Sequence, residues 1–356
     1  ALQRCVILLS LNEMKGKYTK ATLAKLDASR FSGISIAITG CSSGTGLEVA
    51  LIAAEKGKHA TVYMLNRKSE RATAAEATVR ARASPTTQVH SIECDLASFA
   101  SVRSAAQELV TKAGAHGLSV LLLNAGVMAM AEGSTVDGYD MQLQTNHLSH
   151  FLLAQLCMPA LNKAAGSATG ARIVSVSSNM RNFGPLLEAK YFKKFAGPGS
   201  LGGNGNSMFR SGGNWVRYHH SKLANIVFTM ALNDRLQAAG SAVKALACEP
   251  GLATTNLQGN AIAGGGMLKS EWWILNFFFQ SAQDGALPAL LCCFAPDAQS
   301  GDYYAPGSFQ NFYGPPVPLA RAGVFFNPKA ELLSMHAPSR ALLWEVSERA
   351  CGEFRL

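Results

Sequence analysis

Charged side chains are scarce in this sequence, and long hydrophobic runs are absent. Asp, Glu, Lys and Arg make up 15% of the 356 residues, against about 25% in an average globular protein. Because 48% of the residues are apolar, the chain can bury a substantial core, which excludes intrinsic disorder as a description of the whole chain. The strongest apolar run, 272–279, has eight residues, far fewer than the roughly 20 that cross a bilayer. We therefore expect a folded protein that is not inserted in a membrane.

Cysteine pairs of the CxxC type are also missing. The eight cysteines include one adjacent pair, Cys292 and Cys293, within an apolar run. Such spacing predicts neither a zinc site nor a disulfide framework. We expect reduced cysteines in the core, no metal site, and a reducing compartment such as the cytoplasm or the interior of a plastid.

Dense runs of positive charge are absent as well, although the formal net charge is +9. The basic residues are scattered and no nucleic-acid-binding motif accompanies them, so a phosphorylated small ligand is expected rather than nucleic acid. Residues 1–30 carry six basic and two acidic side chains. We take 1–32 as an N-terminal extension, either the remnant of a processed targeting segment or only the place where the chain begins.

Short β-rich runs alternate with longer amphipathic runs from residue 34 onward. This alternation predicts an α/β fold with a doubly wound parallel sheet, in one domain over 33–356. The predicted strands are 34–39, 61–66, 89–93, 119–124, 172–177 and 242–248, with a last strand near 301–304. The predicted helices are 44–56, 69–82, 98–114, 140–163, 217–239, 282–295 and 340–350.

Two segments interrupt this alternation. Residues 179–216 are rich in glycine and indicate an insertion with one short helix around 186–195. Residues 256–281 pass through three consecutive glycines into a dense aromatic run. Both follow the carboxyl end of a predicted strand, where open α/β sheets bind ligands.

A glycine-rich turn joins the first predicted strand to the first predicted helix. Its residues are Thr39, Gly40, Cys41, Ser42, Ser43, Gly44, Thr45 and Gly46. Glycine permits a tight turn and close approach of the backbone to a pyrophosphate, and the helix N-terminus supplies unpaired N–H donors. This setting predicts a dinucleotide site.

The second predicted strand ends in Asn66, which is followed by Arg67 and Lys68. An NAD site normally has an acid here, against the ribose 2′-hydroxyl. The guanidinium of Arg67 suits a 2′-phosphate instead, which favours NADP(H). The alternative is that Arg67 and Lys68 only begin a solvated helix.

Tyr218 and Lys222 lie four residues apart at the start of a predicted helix and so share one face. An ammonium group favours a nearby phenolate, so we expect Lys222 to lower the pKa of Tyr218 and make it a usable proton donor and acceptor. Taken alone, such a pair is more often found on a surface. Ser178 follows the fifth strand and brings a hydroxyl to the same edge, unless it only satisfies backbone groups. His219 and His220 are not expected to act in catalysis, and the alternative for either is a contact with the substrate.

Taken in order, these residues resemble the short-chain dehydrogenase/reductase family over roughly residues 33–310. Segments 146–153 and 218–229 are similar to its retinol dehydrogenase branch. The glycine-rich insertion and the ending 343–348 also resemble a relative of that branch, the light-dependent protochlorophyllide reductases.

The resemblance implies a Rossmann-type three-layer fold with strand order 3-2-1-4-5-6-7 and NADP(H) as cofactor. It implies that Ser178 bonds the substrate carbonyl, Tyr218 exchanges the proton and Lys222 binds the nicotinamide ribose. Asn146 would hold a water molecule between Lys222 and solvent. The implied cofactor-binding residues are Gly40, Ser42, Ser43, Gly44, Thr45, Gly46, Asn66, Arg67, Asp95, Leu96, Asn124, Ala125, Gly126, Pro250, Gly251 and Thr255.

Two departures from the family pattern bear on the substrate. Forty positions separate Ser178 from Tyr218, more than in compact members, which leaves the substrate open. The sequence after Asn124 lacks the Asn-Ala-Ala start typical of the protochlorophyllide enzymes, which argues against the photoenzyme.

We therefore expect an NADP(H)-dependent enzyme that transfers hydride between the nicotinamide and a lipophilic carbonyl or alcohol, either a retinoid-like compound or another apolar aldehyde or ketone. Two alternatives stay open: reduction of a conjugated double bond, as in a tetrapyrrole, and a nucleotide-binding subunit without catalysis in a larger assembly. An intact set of Ser178, Tyr218 and Lys222 argues against the last.

The insertion 179–216 and the aromatic segment 270–280 are expected to form a mobile wall over the nicotinamide. Together with the rest of 256–281, they would present apolar surface to a lipophilic substrate, a membrane or another protein. The alternative is that the aromatic side chains pack against the sheet or a partner subunit. The oligomeric state is left open.

Overall fold

A computed structural model describes residues 17–24, 26–205, 212–253, 256–270, 280–307, 314–318 and 333–356. The aromatic run 271–279 and Thr255 lie outside these residues. The expectation of an aromatic lid therefore stays a prediction.

One mostly parallel sheet forms the centre of the described chain. Its strands are β1 (Ser35–Thr39), β2 (Thr61–Asn66), β3 (Gln88–Glu93), β4 (Val120–Leu123), β5 (Ala171–Val176), β6 (Val243–Cys248), β7 (Tyr303–Pro306) and β8 (Pro316–Pro318). Their order is 3-2-1-4-5-6-7-8, and only β8 pairs antiparallel, with β7. The predicted sheet and strand order are confirmed. The short β8 was not predicted, because two of its three residues are prolines, which are poor strand formers.

Helices flank this sheet. They are α1 (Lys17–Leu23), α2 (Gly44–Lys56), α3 (Glu70–Arg82), α4 (Phe99–Ala113), α5 (Met141–Leu143), α6 (Ser149–Ala165), α7 (Gly213–Ala238), α8 (Asn256–Ala263), α9 (Ala282–Phe294) and α10 (Ala337–Cys351). Short 3₁₀ turns cover Ala28–Phe31, Asn179–Phe183 and Ala189–Phe192, the last in place of the helix predicted at 186–195.

Two long helices differ from their predicted bounds. The predicted helix 140–163 is divided by a π-helical turn, Gln144–Leu148, between α5 and α6. Such turns often occur at functional sites. The predicted helix 217–239 begins earlier, at Gly213, because a tertiary hydrogen bond from Asn214 Nδ2 to the Ala129 carbonyl (3.2 Å) holds its first turn.

The core lies in two layers, one on each face of the sheet. Every residue of β1 is buried. Ala37 belongs to one layer, while Ile36 and Ile38 belong to the other. A central parallel strand that is buried on both faces reads as a continuous hydrophobic run. The resulting rigid sheet fixes the loops at its carboxyl edge.

The seven cysteines in the described ranges are buried and free, as their spacing predicts. Burial raises the pKa of Cys41 to about 12, which keeps this thiol protonated and unreactive. Within the same ranges, no helix combines the length and the apolar character needed to cross a bilayer.

Candidate active site

The glycine turn between β1 and α2 packs its backbone against the loop after β4. Gly40 has a φ of +68°, and a Cβ placed on it would lie 2.7 Å from Ala125 Cα. Gly44, with a φ of +63°, begins α2. Ser42 and Ser43 are half-buried beside it, and Ser43 makes no side-chain capping hydrogen bond. The N-terminus of α2 is therefore available to an anion such as a pyrophosphate.

Asn124 holds this turn in shape. Its Nδ2 donates to the carbonyl oxygens of Thr39 (2.9 Å) and Gly40 (3.2 Å), and its Oδ1 accepts from the Thr45 hydroxyl (3.1 Å). Gly46 lies so close to the same amide that a Cβ there would overlap it. Because Asn124 and Thr45 bond to the protein, these two side chains shape the predicted cofactor site, and their contacts with the cofactor stay a prediction.

Asn66 and Arg67 lie at the end of β2. Asn66 is buried, its Nδ2 donates to Cys41 Sγ (3.4 Å), and its Oδ1 has no partner among the described residues. Arg67 is exposed. A buried oxygen without a partner suits a ribose hydroxyl, and an exposed guanidinium suits a phosphate.

Asp95 and Leu96 follow β3 at the same edge of the sheet. Asp95 Oδ1 accepts from the Ala97 N–H (2.9 Å). Leu96 is buried, and its carbonyl accepts from the Ser149 hydroxyl at the start of α6 (2.6 Å). Local bonds therefore fix both residues beside the end of β2.

Tyr218 and Lys222 are buried side chains on α7, 3% and 4% exposed. Burial raises the pKa of Tyr218 to about 12, and a hydrogen bond with Ser178 opposes this rise only in part. Burial also lowers the pKa of Lys222 to about 8. The expectation that Lys222 lowers the pKa of Tyr218 is wrong for the protein alone, because the loss of hydration dominates.

The ammonium group of Lys222 faces the loop after β4. Its Nζ donates to the Val176 carbonyl (3.2 Å). A Cβ placed on Gly126 would lie 3.2 Å from this Nζ and 3.1 Å from Asn146 Oδ1. The Asn146 side chain accepts from the Val127 N–H (2.8 Å) and donates to the Val127 carbonyl (2.9 Å). Asn146 thus clamps this loop beside Lys222, and its role in holding water stays a prediction.

Ser178 follows β5 and lies near the phenol of Tyr218, whose pKa its side chain lowers in part. Its hydroxyl also accepts from the Met180 N–H (3.2 Å), which caps the 3₁₀ turn Asn179–Phe183. The preceding Ser177 donates instead to the Lys222 carbonyl (2.8 Å). Of the two serines, Ser178 is the one placed at Tyr218.

A buried ion pair next to Ser178 was missed in the sequence. Arg181 Nη1 lies 2.9 Å from Glu249 Oε2 and also donates to the Tyr303 hydroxyl and the Ser178 carbonyl. Glu249 is fully buried, and burial raises the pKa of its carboxyl. The pair joins the turn that carries Ser178 to β6 and β7. The sequence signal that could have indicated this pair is Glu249, an acidic residue at the end of an apolar strand and directly before Pro250.

Pro250 and Gly251 follow β6 and approach the glycine turn. A Cβ placed on Gly285 of α9 would lie 3.2 Å from Thr45 Cγ2 and 3.5 Å from the Pro250 carbonyl oxygen. The loop after β1 and the loop after β6 therefore meet at α9. Thr255, predicted to bind the cofactor, lies outside the described residues.

Apolar side chains surround Tyr218. They come from the loop after β4, from α7 and from the region of α8, and are Met128, Ala129, Trp215, Ala261 and Met267, with Met180 and Ile262 packed beside them. Trp215 Nε1 donates to the Gly266 carbonyl (2.8 Å), which ties this region to α7. A reacting group at Tyr218 therefore lies in a low-polarity environment, where hydrogen bonds are stronger than in water.

Part of the insertion is tied to the body of the protein. The Glu132 carboxylate accepts bonds from three of its backbone N–H groups, those of Gly199, Leu201 and Gly203. Arg217, directly before Tyr218, donates to the carbonyls of Leu201 and Gly203 and forms a buried ion pair with Asp140 (2.9 Å). These bonds anchor the region 199–203 at the start of α7.

We expect the Glu132 tether to weaken in acid. Burial alone would raise the pKa of Glu132, but the three N–H donors together outweigh it and lower the pKa. The stabilisation by this carboxylate is therefore present above its unfolded pKa and is lost as pH falls below about 4. Hydrogen exchange should show the Gly199 and Leu201 amides losing protection over that range. Glu132→Gln should expose them already at neutral pH, and unchanged exchange in that variant would contradict the tether.

The geometry fits a nicotinamide dinucleotide. A glycine turn at a helix N-terminus suits its pyrophosphate, and the orphaned Asn66 oxygen suits a ribose. The close approach of Gly126 to Lys222 leaves a flat surface, without a Cβ, beside the ammonium group. Along the sheet edge, Tyr218 lies at the opposite end of the site from Asn66. Its phenol is a group that can donate a proton there.

Comparison with known proteins agrees with this geometry. The sequence profile of the short chain dehydrogenase family matches residues 35–192. Human retinol dehydrogenase 11 is 31% identical over 272 residues, 76% of either chain. The chloroplastic short-chain dehydrogenase TIC 32 A of Brassica napus is 29% identical over 82% of this chain and 86% of its own.

A solved structure gives the same result over almost the whole chain. The crystal structure of an uncharacterized protein from Mycobacterium paratuberculosis has a TM-score of 0.64 and 30% identity, and the match covers 94% of this chain and 98% of that one. The chain described above therefore belongs to the short-chain dehydrogenase/reductase family of oxidoreductases.

Proposed function

We propose that the protein interconverts an apolar aldehyde or ketone and its alcohol, with NADP(H) as cofactor. The observation that carries this proposal is the setting of Tyr218, a buried phenol that lies near Ser178 and is enclosed by apolar side chains. A retinoid or another apolar carbonyl compound suits such surroundings. The name of the human relative, retinol dehydrogenase 11, supports the same substrate class.

The chain's own residues would donate and accept the proton. When bound, NADPH supplies the hydride. The Ser178 hydroxyl holds the carbonyl oxygen beside Tyr218, whose raised pKa keeps the phenol protonated at neutral pH so that it can give its proton to that oxygen. Lys222, on the same face of α7 as Tyr218, would bind the nicotinamide ribose. In the oxidative direction, the phenolate takes the proton back.

Steady-state oxidation of NADPH against a panel of aldehydes, retinoids and ketones tests this proposal. We expect kcat/KM to rise with the apolar surface of the carbonyl compound. A tetrapyrrole with a conjugated double bond serves as the comparison substrate. Turnover of the tetrapyrrole alone, or of no compound, would contradict the proposal.

The NADP(H) preference rests on Arg67. We expect Arg67→Asp to reverse the preference in favour of NAD(H), because a carboxylate repels a 2′-phosphate and accepts from a 2′-hydroxyl. Fluorescence titration with NADPH and NADH measures both affinities. Arg80→Asp, which makes the same charge change in the last turn of α3, should keep the original order. Equal affinities for the two cofactors in the unaltered protein would refute the assignment.

We propose in addition that the insertion contacts apolar partners at the mouth of the site. Phe183 and Leu186 are 59% and 39% exposed, unusual for large apolar side chains on a loop that follows a strand at the site. The contact is with the lipophilic substrate or, peripherally, with a membrane in a reducing compartment. Phe183→Ser with Leu186→Ser should raise KM for long apolar aldehydes more than for acetaldehyde and should reduce sedimentation with liposomes. Equal effects on both substrates would contradict this role.

A further inference from the structure

His219 is a buried imidazole next to Tyr218 that the proposed mechanism does not use. It is 4% exposed, yet neither ring nitrogen has a hydrogen-bond partner among the described residues. A buried polar group without a partner is costly, so few persist in native proteins without a reason. Both ring nitrogens of His219 can therefore bond to a polar group of another molecule.

The next residue shows what a structural histidine on this helix looks like. His220 Nδ1 bonds to the Val216 carbonyl (3.1 Å), and its ring packs on Tyr191 with 4.2 Å between centroids. Its Nε2 makes no hydrogen bond among the described residues and lies 3.8 Å from a Glu188 oxygen. His220 is thus held through Nδ1 and through its ring, whereas neither nitrogen of His219 has a hydrogen-bond partner in the described part of the chain.

His219 lies next to Tyr218 among aromatic side chains, which form a slot around it. The ring of Trp215, which also packs against Tyr218, is 6.5 Å from the His219 ring, and the exposed ring of Phe183 is 6.5 Å from it as well. Gly184 closes the slot, since a Cβ placed on it would lie 3.2 Å from His219 Nδ1. Both Phe183 and Gly184 belong to the segment that begins at Ser178.

We propose that His219 binds a second, uncharged oxygen function of the substrate, a hydroxyl group at some distance from the reacting carbonyl, and so determines substrate specificity. This inference rests on the proposed function. The preferred substrate is then an apolar carbonyl compound that carries one further hydroxyl group.

The chemistry of the ring selects a hydroxyl. Burial lowers the pKa of His219 to about 4, so the imidazole is neutral at physiological pH and offers one donor and one acceptor. A hydroxyl group both donates and accepts and satisfies either nitrogen. A plain hydrocarbon at the same place leaves both nitrogens unpaired, and sites built to bond a hydroxyl discriminate against analogues that lack it.

The test compares decanal with decanals that carry one hydroxyl group at successive carbons from the fourth to the eighth. For the unaltered protein, we expect at least one hydroxylated isomer to exceed decanal in kcat/KM by roughly 5- to 10-fold, the value of one hydrogen bond. His219→Phe should bring this ratio close to one. His220→Phe is the matched control and should keep the ratio.

Stability gives a second readout that does not depend on the substrate. Because the imidazole of His219 has no hydrogen-bond partner among the residues that the structure describes, His219→Phe should raise the thermal midpoint of the protein without substrate by roughly 1 to 4 °C. His219→Leu repeats the test with a smaller side chain. A structural histidine would show the opposite shift.

The outcomes separate the two proposals. Tyr218-dependent reduction of decanal without a preference for any hydroxylated isomer, or with a preference that His219→Phe retains, overturns the role of His219 and leaves the proposed function standing. A lower midpoint in both His219 variants also overturns it. Failure to reduce any member of the series contradicts the proposed function, and the inference falls with it.

Discussion

Replacing Tyr218 with phenylalanine should lower turnover of the apolar carbonyl substrate about 10²- to 10⁴-fold. The substitution removes the proton donor but keeps the buried ring among Met128, Trp215 and Met267. Stability and NADPH affinity should therefore change little. Steady-state NADPH oxidation, thermal denaturation and fluorescence titration measure the three quantities on one preparation.

Tyr63→Phe is the control for this substitution. Tyr63 is another buried tyrosine, 3% exposed, and lies within β2 rather than at the carboxyl edge of the sheet where the site is, so we expect the loss of its hydroxyl to leave the site unchanged. Turnover in Tyr63→Phe should stay near that of the unaltered protein. If Tyr218→Phe also retained near-normal turnover, Tyr218 would not be the proton donor and the proposed mechanism would fail at its centre.

Glu249→Gln should reduce the free energy of unfolding by about 3 to 5 kcal/mol. The side chains of Arg181 and Glu249 lie 2.9 Å apart and are almost fully buried. Glutamine leaves the guanidinium in the interior without a counterion, and water cannot reach it to compensate. Urea unfolding followed by circular dichroism measures the loss.

Two further variants distinguish the effect of breaking the ion pair from the effect of a simple loss of packing. Replacing both members, Arg181→Met with Glu249→Met, should recover much of the stability because neither charge is then left unpaired. Glu76→Gln breaks the exposed pair with Arg80 on α3 and should cost less than about 1 kcal/mol. Full stability in Glu249→Gln would mean that Glu249 is already protonated, the direction in which burial shifts its pKa.

The strands and helices near the start of the chain could be predicted from the local pattern of apolar residues and glycines. The predicted strand 61–66 and helix 44–56 coincide with β2 and α2. Here the period of the apolar residues and the glycines at the turn act within a few residues of each other, so short-range sequence carries the information. The π-helical turn at Gln144–Leu148 was missed because tertiary bonds of its side chains, such as those of Asn146 to Val127, stabilise it.

The residues of the candidate site also divide into those that the sequence predicts and those that only the tertiary structure brings together. Tyr218 and Lys222 were recognisable because helix geometry brings residues four apart to one face. The pair of Arg181 and Glu249 was not, since its members are 68 positions apart and meet only when β5 and β6 pair in the sheet. The same holds for His219 and Gly184, which belong to different elements of the fold.

The sequence by itself predicted the family from the identity and order of its motif residues, and the resemblance to that family then predicted the strand order and the chemical types at the candidate catalytic positions. Only the tertiary structure decided the environment of each side chain. Tyr218 shows the difference: sequence spacing predicted a pKa lowered by Lys222, whereas burial raises that pKa to about 12. The free energy of ionisation depends on how much water a group loses, and that loss is set by elements from distant parts of the chain that close around it.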